Sequence, residues 1–363
     1  MRSKAMVLGA MLFVGGKVGA EPYLAAWKGV NCNACHVNQT GGWLRNDFGK
    51  NYGSSLATFD WEGMEDAVHG AQKAVPAPLI VGLDIHEGYQ ATFYPSPVTN
   101  LHGFQSGRQA LEIGVRADRD LTGVVAYRFD DNQTRELYGL LSNLPEGGYV
   151  KFGKFTTPYG LELADDNSLV RSGIGLTFDN LPSEGIEAGI YPGPGFANLS
   201  VFNGNNLAQS EHGFSGKAGL CGRGYALGAS FWGQDLDMAQ KLMRYGAFGW
   251  GSLGPLALLA EYDQGYTGTG VGSQDDFKAY HVSLEGDLGF DCYLRFATEW
   301  LDGKASTFAQ AGYRHVVSFR CYPVHDMKFQ LDLTRLAPDP SGTQYANYGA
   351  VEDMALADAF FFY

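Results

Sequence analysis

The strongest constraint on the fold is a period-two alternation of apolar and polar residues that runs through the chain from Leu79 onward. It is clearest in residues 79–86, 111–118, 280–285 and 327–334. This periodicity indicates β-strands with one apolar and one polar face. There are about sixteen such segments, which begin near residues 79, 108, 121, 134, 147, 184, 195, 214, 223, 240, 254, 277, 291, 309, 325 and 353.

The connections between these segments alternate in length. Short ones include residues 192–195, 252–255 and 323–326, and long ones are residues 95–107, 157–183, 204–213, 264–276 and 337–352. Short turns on one side, long loops on the other and an even strand number are typical of bacterial outer-membrane barrels. We therefore predict an all-β fold, a transmembrane antiparallel barrel of about 16 strands over residues 78–363. A soluble β-sandwich is the alternative, but it gives no reason for the alternating connections.

The first 20 residues have the order of a secretory signal peptide. Basic residues open it, an apolar stretch follows, and Val18, Gly19 and Ala20 form a small-residue cleavage site. Cleavage removes three basic residues and no acidic one, so the net charge changes from −13 to −16. An acidic exported protein repels nucleic acid and favours cations or basic partners. No later run reaches the roughly 18 apolar residues of a transmembrane helix.

Two strands near the C-terminus can be paired by residue number. Pairing residues whose numbers sum to 613 places Glu299 opposite Arg314, and opposite charges are favoured at facing positions. The same register places Cys292 opposite Cys321, where a cross-strand disulfide is plausible. It also turns His315 toward lipid, so a bulge or a register slip is the alternative.

The motif Cys32-Asn33-Ala34-Cys35-His36 has the most specific chemistry. Two thiols three residues apart can form thioethers to one haem, and the adjacent histidine becomes an axial ligand of the iron. A redox Cys-x-x-Cys or half of a zinc site is the alternative. No second Cys-x-x-Cys or paired-histidine cluster supports zinc, and a redox motif does not require His36. The motif predicts one covalent haem c, held by Cys32 and Cys35, with His36 on the iron.

Residues 21–77 are the predicted monohaem c-type cytochrome domain, a small α-helical unit that ends at a proline boundary, Pro76-Ala77-Pro78. Residues 23–30 and 61–75 are its predicted helices. So few residues cannot form a robust core alone, so covalent haem or docking must stabilise them. The candidates for the sixth iron ligand are His69 and Met64 on the second helix. A barrel residue, or no sixth ligand, is the alternative.

Several charged residues are predicted to face the barrel lumen. They include His86 and His281, and, on strands that end at the short-turn side, Arg295, Arg320 and Lys328. The last three can meet haem propionates or remain solvated. The loop 157–183 is the third long connection and carries the acidic residues Glu162, Asp165, Asp166 and Asp179. These acids can attract a cation such as ferrous iron, and a plain solvated loop is the alternative.

A signal peptide, one Cys-x-x-Cys-His domain and a sixteen-strand barrel in one chain resemble the outer-membrane cytochrome–porin fusions of iron-oxidising bacteria. Cys32, Cys35 and His36 carry the resemblance, and residues 41–49 are similar to outer-membrane monohaem cytochromes. The resemblance covers the whole chain as an architecture. It implies that the haem domain plugs the barrel and passes electrons inward from extracellular Fe(II) to periplasmic c-type cytochromes.

Two other functions fit the same residues. Electrons can run outward, to minerals or extracellular cytochromes, or the barrel can be a diffusion porin whose tethered cytochrome is a periplasmic docking or sensing module. One haem cannot line a path across a bilayer core of roughly 30 Å, so it must lie deep in the pore or have haem partners at the mouths. Electron transfer across the outer membrane is the expected function. Fe(II) oxidase activity would accompany it where Fe(II) is the donor, without a catalytic side chain.

Overall fold

The computed structural model describes residues 22–28, 30, 34–54, 78–94, 100–161, 163, 168–171, 182–203, 212–236, 240–269, 273–303, 312–323, 327–338 and 352–362. Within these residues, sixteen strands form one closed barrel in which each strand pairs with its neighbours in sequence and β1 pairs with β16. The strands are β1 (Leu79–Phe93), β2 (Leu101–Arg116), β3 (Leu121–Arg128), β4 (Gln133–Leu144), β5 (Gly148–Thr156), β6 (Pro182–Ile190), β7 (Gly195–Asn203), β8 (His212–Gly222), β9 (Tyr225–Leu236), β10 (Gln240–Leu253), β11 (Leu256–Thr269), β12 (Ser273–Gly289), β13 (Cys292–Gly303), β14 (Gly312–Cys321), β15 (Met327–Pro338) and β16 (Glu352–Phe362). The predicted antiparallel barrel is confirmed.

Two short helices precede the barrel. Helix α1 (Pro22–Lys28) lies where the sequence predicted one, whereas no helix was predicted at α2 (Asp47–Ser54). An acidic residue in its first turn suits the helix N-terminus. The predicted helix over residues 61–75 lies outside the described residues. No helix in the described ranges has the length and apolar character needed to cross a membrane.

The two faces of the wall differ as the alternation predicts. In β14 the outward His315, Val317 and Phe319 are exposed, and the inward Arg314, Ser318 and Arg320 are buried. Large apolar side chains recur on the outer face of most strands, where only lipid can cover them. The closed barrel and its apolar outer face place the protein in the bacterial outer membrane.

The predicted register of β13 and β14 is confirmed at every position that it named. Cys292 faces Cys321 and Glu299 faces Arg314, with no bulge between them. Cys292 and Cys321 form the disulfide. His315 does point outward, and its Nδ1 lies 3.0 Å from Thr298 Oγ1 on the neighbouring strand. A local hydrogen bond, and not a register slip, accommodates this polar side chain.

The predicted long connection over residues 264–276 is wrong. Strands β11 and β12 remain paired up to Thr269 and Ser273, which leaves only residues 270–272 between them. At Gly265 the neighbouring strands approach closely, because a Cβ there would lie 2.2 Å from the backbone oxygen of Met243 and 2.7 Å from the ring of Phe277.

Candidate functional site

The histidine of the haem motif lies in a small hairpin formed by residues 36–45. His36 and Arg45 form an antiparallel bridge across it. Gly41 and Gly42 make its turn, with φ of 101° and 79°, values that glycine adopts at no steric cost. The glycine pair therefore folds the chain back on the motif.

The ring of His36 is buried and held at one nitrogen. Its Nδ1 lies 3.1 Å from the carbonyl oxygen of Trp43. A carbonyl oxygen can only accept, so the proton is on Nδ1 and the lone pair of the neutral ring is on Nε2. Burial, with the positive charge of Arg45 adding to it, lowers the pKa of His36 to about 4. The imidazole therefore has the neutral state and the second hydrogen bond that a metal-ligating histidine needs.

Cys35 lies beside this hairpin, and burial raises the pKa of its thiol. Its carbonyl oxygen accepts a hydrogen bond from the backbone N–H of Asn46 at 3.0 Å. Gly49 packs on the same peptide so closely that a Cβ would lie 2.0 Å from the Cys35 oxygen. The second thiol, Cys32, lies outside the described residues.

Asn46 holds the motif from the other side. Its Nδ2 donates to the carbonyls of Ala34 at 3.0 Å and His36 at 3.3 Å, and its Oδ1 accepts from Gly49 N–H at 2.9 Å. Sequence reasoning noted residues 41–49 as a similarity but gave Asn46 no role. The sequence could have indicated a role for Asn46, because asparagine directly before a helix is a preferred N-cap residue.

These residues fit a covalent haem c. His36 offers Nε2 to an iron, and Cys35 is held next to it by Asn46 and Gly49. Both candidate sixth ligands, His69 and Met64, lie outside the described residues, so that assignment stays a prediction. In the described part of the chain no group of three or more His, Cys, Asp and Glu could hold a metal ion. A haem iron needs no such group, because the porphyrin supplies four of its ligands.

A set of polar contacts, here called the polar anchor, joins the hairpin to strands β4–β6. Lys151 Nζ donates to Asn38 Oδ1 at 2.9 Å and lies 3.1 Å from Glu187 Oε1. Asn38 Nδ2 also reaches Glu136 Oε1 at 3.5 Å. All four side chains are buried. Just beyond β6, Tyr191 OH donates to the Gln39 carbonyl at 2.8 Å, so the hairpin is bound at the short-turn mouth.

A second set, the aromatic anchor, joins α1 to the opposite wall. Trp27 stacks on Tyr293 with 5.2 Å between ring centroids, and Tyr23 OH lies 3.2 Å from Tyr322 OH. The guanidinium of Arg320 lies 5.3 Å from the Tyr23 ring centroid. The N-terminal segment is thus attached to both sides of the mouth.

The described part of the loop after β5 folds into the lumen and binds the opposite wall. Arg171 Nη2 donates to Glu261 Oε2 at 2.6 Å, and Leu161 N–H donates to the same oxygen at 3.1 Å. Farther along, Ser168 Oγ donates to Glu299 Oε1 at 2.7 Å. Leu161 also packs in one apolar cluster with Tyr23 of α1. The loop therefore crosses the lumen and meets the N-terminal segment. The four predicted acidic residues of this loop lie outside the described residues.

The predicted inward residues all lie inside the barrel and have partners. His281 Nδ1 is 2.6 Å from Glu299 Oε1, and His86 Nε2 is 2.9 Å from Asp358 Oδ1. The guanidinium groups of Arg295 and Arg320 lie 3.5 and 3.6 Å from Glu285. Lys328 Nζ lies 3.8 Å from the ring centroid of Phe360. Arg295 and Arg320 are therefore buried and paired with Glu285, and contact of the three cations with haem propionates stays a prediction.

Comparisons with known proteins bear on the barrel. No family model matches the chain, and no curated protein matches it. The anion-selective porin from Comamonas acidovorans covers 78% of this chain and 99% of its own, at 10% identity and a TM-score of 0.62. The fold is that of the outer-membrane porins.

Two further solved structures agree. OmpT, an outer membrane protein of Vibrio cholerae, covers 80% of this chain and 99% of its own, with 14% identity and a TM-score of 0.59. The outer membrane channel DcaP of Acinetobacter baumannii covers the same shares with 11% identity and a TM-score of 0.55. At these identities the similarity concerns the fold alone.

Proposed function

We propose that this chain is a monohaem electron-transfer protein of the bacterial outer membrane. It takes electrons from extracellular Fe(II) or a similar donor and passes them inward to periplasmic c-type cytochromes. One observation carries the proposal: the histidine of a Cys-x-x-Cys-His motif is buried, with Nδ1 held by the Trp43 carbonyl, in a segment attached to both sides of the barrel mouth.

Bound haem would supply reversible one-electron chemistry at the iron. The residues of the chain supply the rest. His36 offers one ring nitrogen and keeps the other hydrogen-bonded, while Asn46 and Gly49 hold the backbone of Cys35. The hairpin is shielded from bulk water by the barrel wall, and a low-dielectric surrounding strengthens the electrostatic control of an iron potential.

The barrel gives the direction of access. Short turns mark the periplasmic side of such barrels, and the N-terminal segment lies on that side. A periplasmic cytochrome can therefore approach the segment directly, whereas an extracellular donor must enter through the opposite mouth. The net charge of −13 favours a cationic donor.

The first test is for the haem. The purified full chain is expected to carry one haem that survives denaturing electrophoresis, and the double substitution Cys32→Ser/Cys35→Ser is expected to lose that covalent stain. Full chain reconstituted in liposomes should then be reduced by external Fe(II) and reoxidised by a cytochrome c trapped inside. A stain that persists in Cys32→Ser/Cys35→Ser, or no electron transfer across the bilayer, contradicts the proposal.

A diffusion porin with a tethered cytochrome is the second candidate, favoured by the porin fold. The contacts that hold the N-terminal segment to both sides of the mouth argue for a closed lumen instead. Planar bilayer recordings of the full chain separate the two. Little steady conductance is expected for a closed lumen, and a persistent ohmic current would favour the porin.

A further inference from the structure

We propose that Arg108 and Asp84 of the barrel wall are positioning residues for His36, acting through Trp43, and that they help set the haem midpoint potential. The inference rests on the proposed function, because it requires haem on His36. It adds to that function that residues of the barrel wall help to set the midpoint potential of the haem.

Trp43 connects the motif to the wall. Its carbonyl oxygen is the partner of His36 Nδ1, 3.1 Å away, while its side chain is buried against the barrel. The indole forms a small cluster with Ala110 of β2 and Ala126 of β3, whose short side chains leave room for it. The guanidinium carbon of Arg108 lies 4.8 Å from the ring centroid. One residue thus touches both the ligand and the wall.

The Arg108 guanidinium, which lies against the Trp43 indole, is held in turn by a carboxylate. Arg108 Nε lies 2.9 Å from Asp84 Oδ2 on the neighbouring strand β1, and both side chains are buried. Cation–π contacts are stronger when they are desolvated, and a buried ion pair limits how far the guanidinium can move. The wall therefore holds the Trp43 ring in one position.

The backbone of Trp43 needs such support. Its φ is 51°, a left-handed value that a residue with a Cβ adopts only when its surroundings impose it. The direction of the Trp43 carbonyl therefore depends on the contacts around this residue, and not on the turn alone. If the ring is released, the peptide can relax toward an ordinary conformation and its oxygen turns away from His36.

The consequence is electronic. A hydrogen bond from Nδ1–H to a carbonyl makes the imidazole a more basic ligand, which stabilises the oxidised iron relative to the reduced one. Loosening the Trp43 carbonyl weakens this bond. The midpoint potential of the haem should then rise, without any change in the ligands themselves.

The test is redox titration of the full chain with the charge-neutral double substitution Asp84→Asn/Arg108→Met. The net charge is unchanged, so an upward shift of the midpoint potential at equal haem content reports the lost positioning. Asp263→Asn/Arg244→Met is the matched charge-neutral control, because Arg244 lies 5.0 Å from the ring centroid of Trp232 elsewhere in the lumen and interacts with Asp263. Its potential should stay at that of the unaltered chain.

Arg108→Lys serves where the double variant does not assemble, since it keeps the charge but loses the planar stacking group. A smaller upward shift is expected. An unchanged potential in the folded, haem-loaded variants overturns the inference, and so does an equal shift in Asp263→Asn/Arg244→Met. Either result leaves the proposed function intact. Absence of covalent haem from the unaltered chain overturns the proposed function itself.

Discussion

The polar anchor and the aromatic anchor hold the same N-terminal segment by different chemistry. In the polar anchor, Lys151, Asn38 and Glu187 are buried and hydrogen-bonded, so their geometry is specific and any missing partner is costly. In the aromatic anchor, Tyr23 and Trp27 bury large ring surfaces, which are less demanding in direction. Directional hydrogen bonds thus hold the hairpin that carries His36, whereas α1 is held mainly by the burial of its aromatic rings.

Hydrogen exchange can test whether the two anchors differ in this way. The largest effect is expected for Lys151→Met, which leaves Glu187 buried without its cation. Breaking such a pair costs about 3–5 kcal/mol, so amide protection over residues 34–46 should fall by about two orders of magnitude or more. Lys154→Met on the same strand is the control. Unchanged protection of residues 34–46 in Lys151→Met would show that the polar anchor does not hold the hairpin.

The second-largest change in hydrogen exchange is expected for Tyr23→Ala. Truncating a buried aromatic side chain costs about 3 kcal/mol or somewhat more, and the loss should fall on amides of residues 22–28. Phe48→Ala, at an exposed position in α2, is the control and should change little. If residues 34–46 lose protection to the same extent as residues 22–28, the two anchors form one cooperative unit and the distinction between them fails.

A smaller effect is expected for Ser252→Ala. Ser252 Oγ donates to the Ala26 carbonyl at 2.9 Å, and losing one such bond costs about 1 kcal/mol. Exchange of residues 22–28 should therefore speed up by several-fold, with residues 34–46 unaffected. Ser252→Thr, which keeps the hydroxyl, should restore the original rate; no difference between the two variants would contradict this role.

The smallest effect is expected for Arg116→Ala. Arg116 Nη2 lies 3.1 Å from Asp47 Oδ2 at the rim, and both side chains are exposed. Such pairs contribute about 0–1 kcal/mol and are screened by salt. Exchange over α2 should change by less than a few-fold, and not at all at high salt. A large effect would mean that the rim, and not the buried anchors, holds the segment.

The barrel could be predicted because it depends on alternation within each strand and on pairing between strands that are neighbours in sequence. Alternation gave the strands, and the facing of Glu299 with Arg314 gave a register that also paired Cys292 with Cys321. The loop over residues 264–276 was wrong because the ends of β11 and β12 stay paired up to Thr269 and Ser273, a pairing between strands that the alternation within one strand does not reveal.

In the candidate site, only the motif could be predicted from the sequence, and its haem stays a prediction. Cys35 and His36 follow from spacing in the sequence, but the Trp43 carbonyl reaches His36 only after a turn has folded. The contacts of Lys151 with Asn38 and of Arg108 with Trp43 join residues far apart in the chain. No periodicity encodes such pairs, because they depend on how the segment enters the barrel.

The burial of His36 also sets an order of events in assembly. Covalent attachment requires that a haem and the attaching machinery reach both thiols and the histidine of the motif. In the finished barrel the histidine is buried and the hairpin is bound to the wall. A chain that carries haem must therefore receive it in the periplasm, before the barrel closes around the segment, so haem attachment would precede membrane insertion.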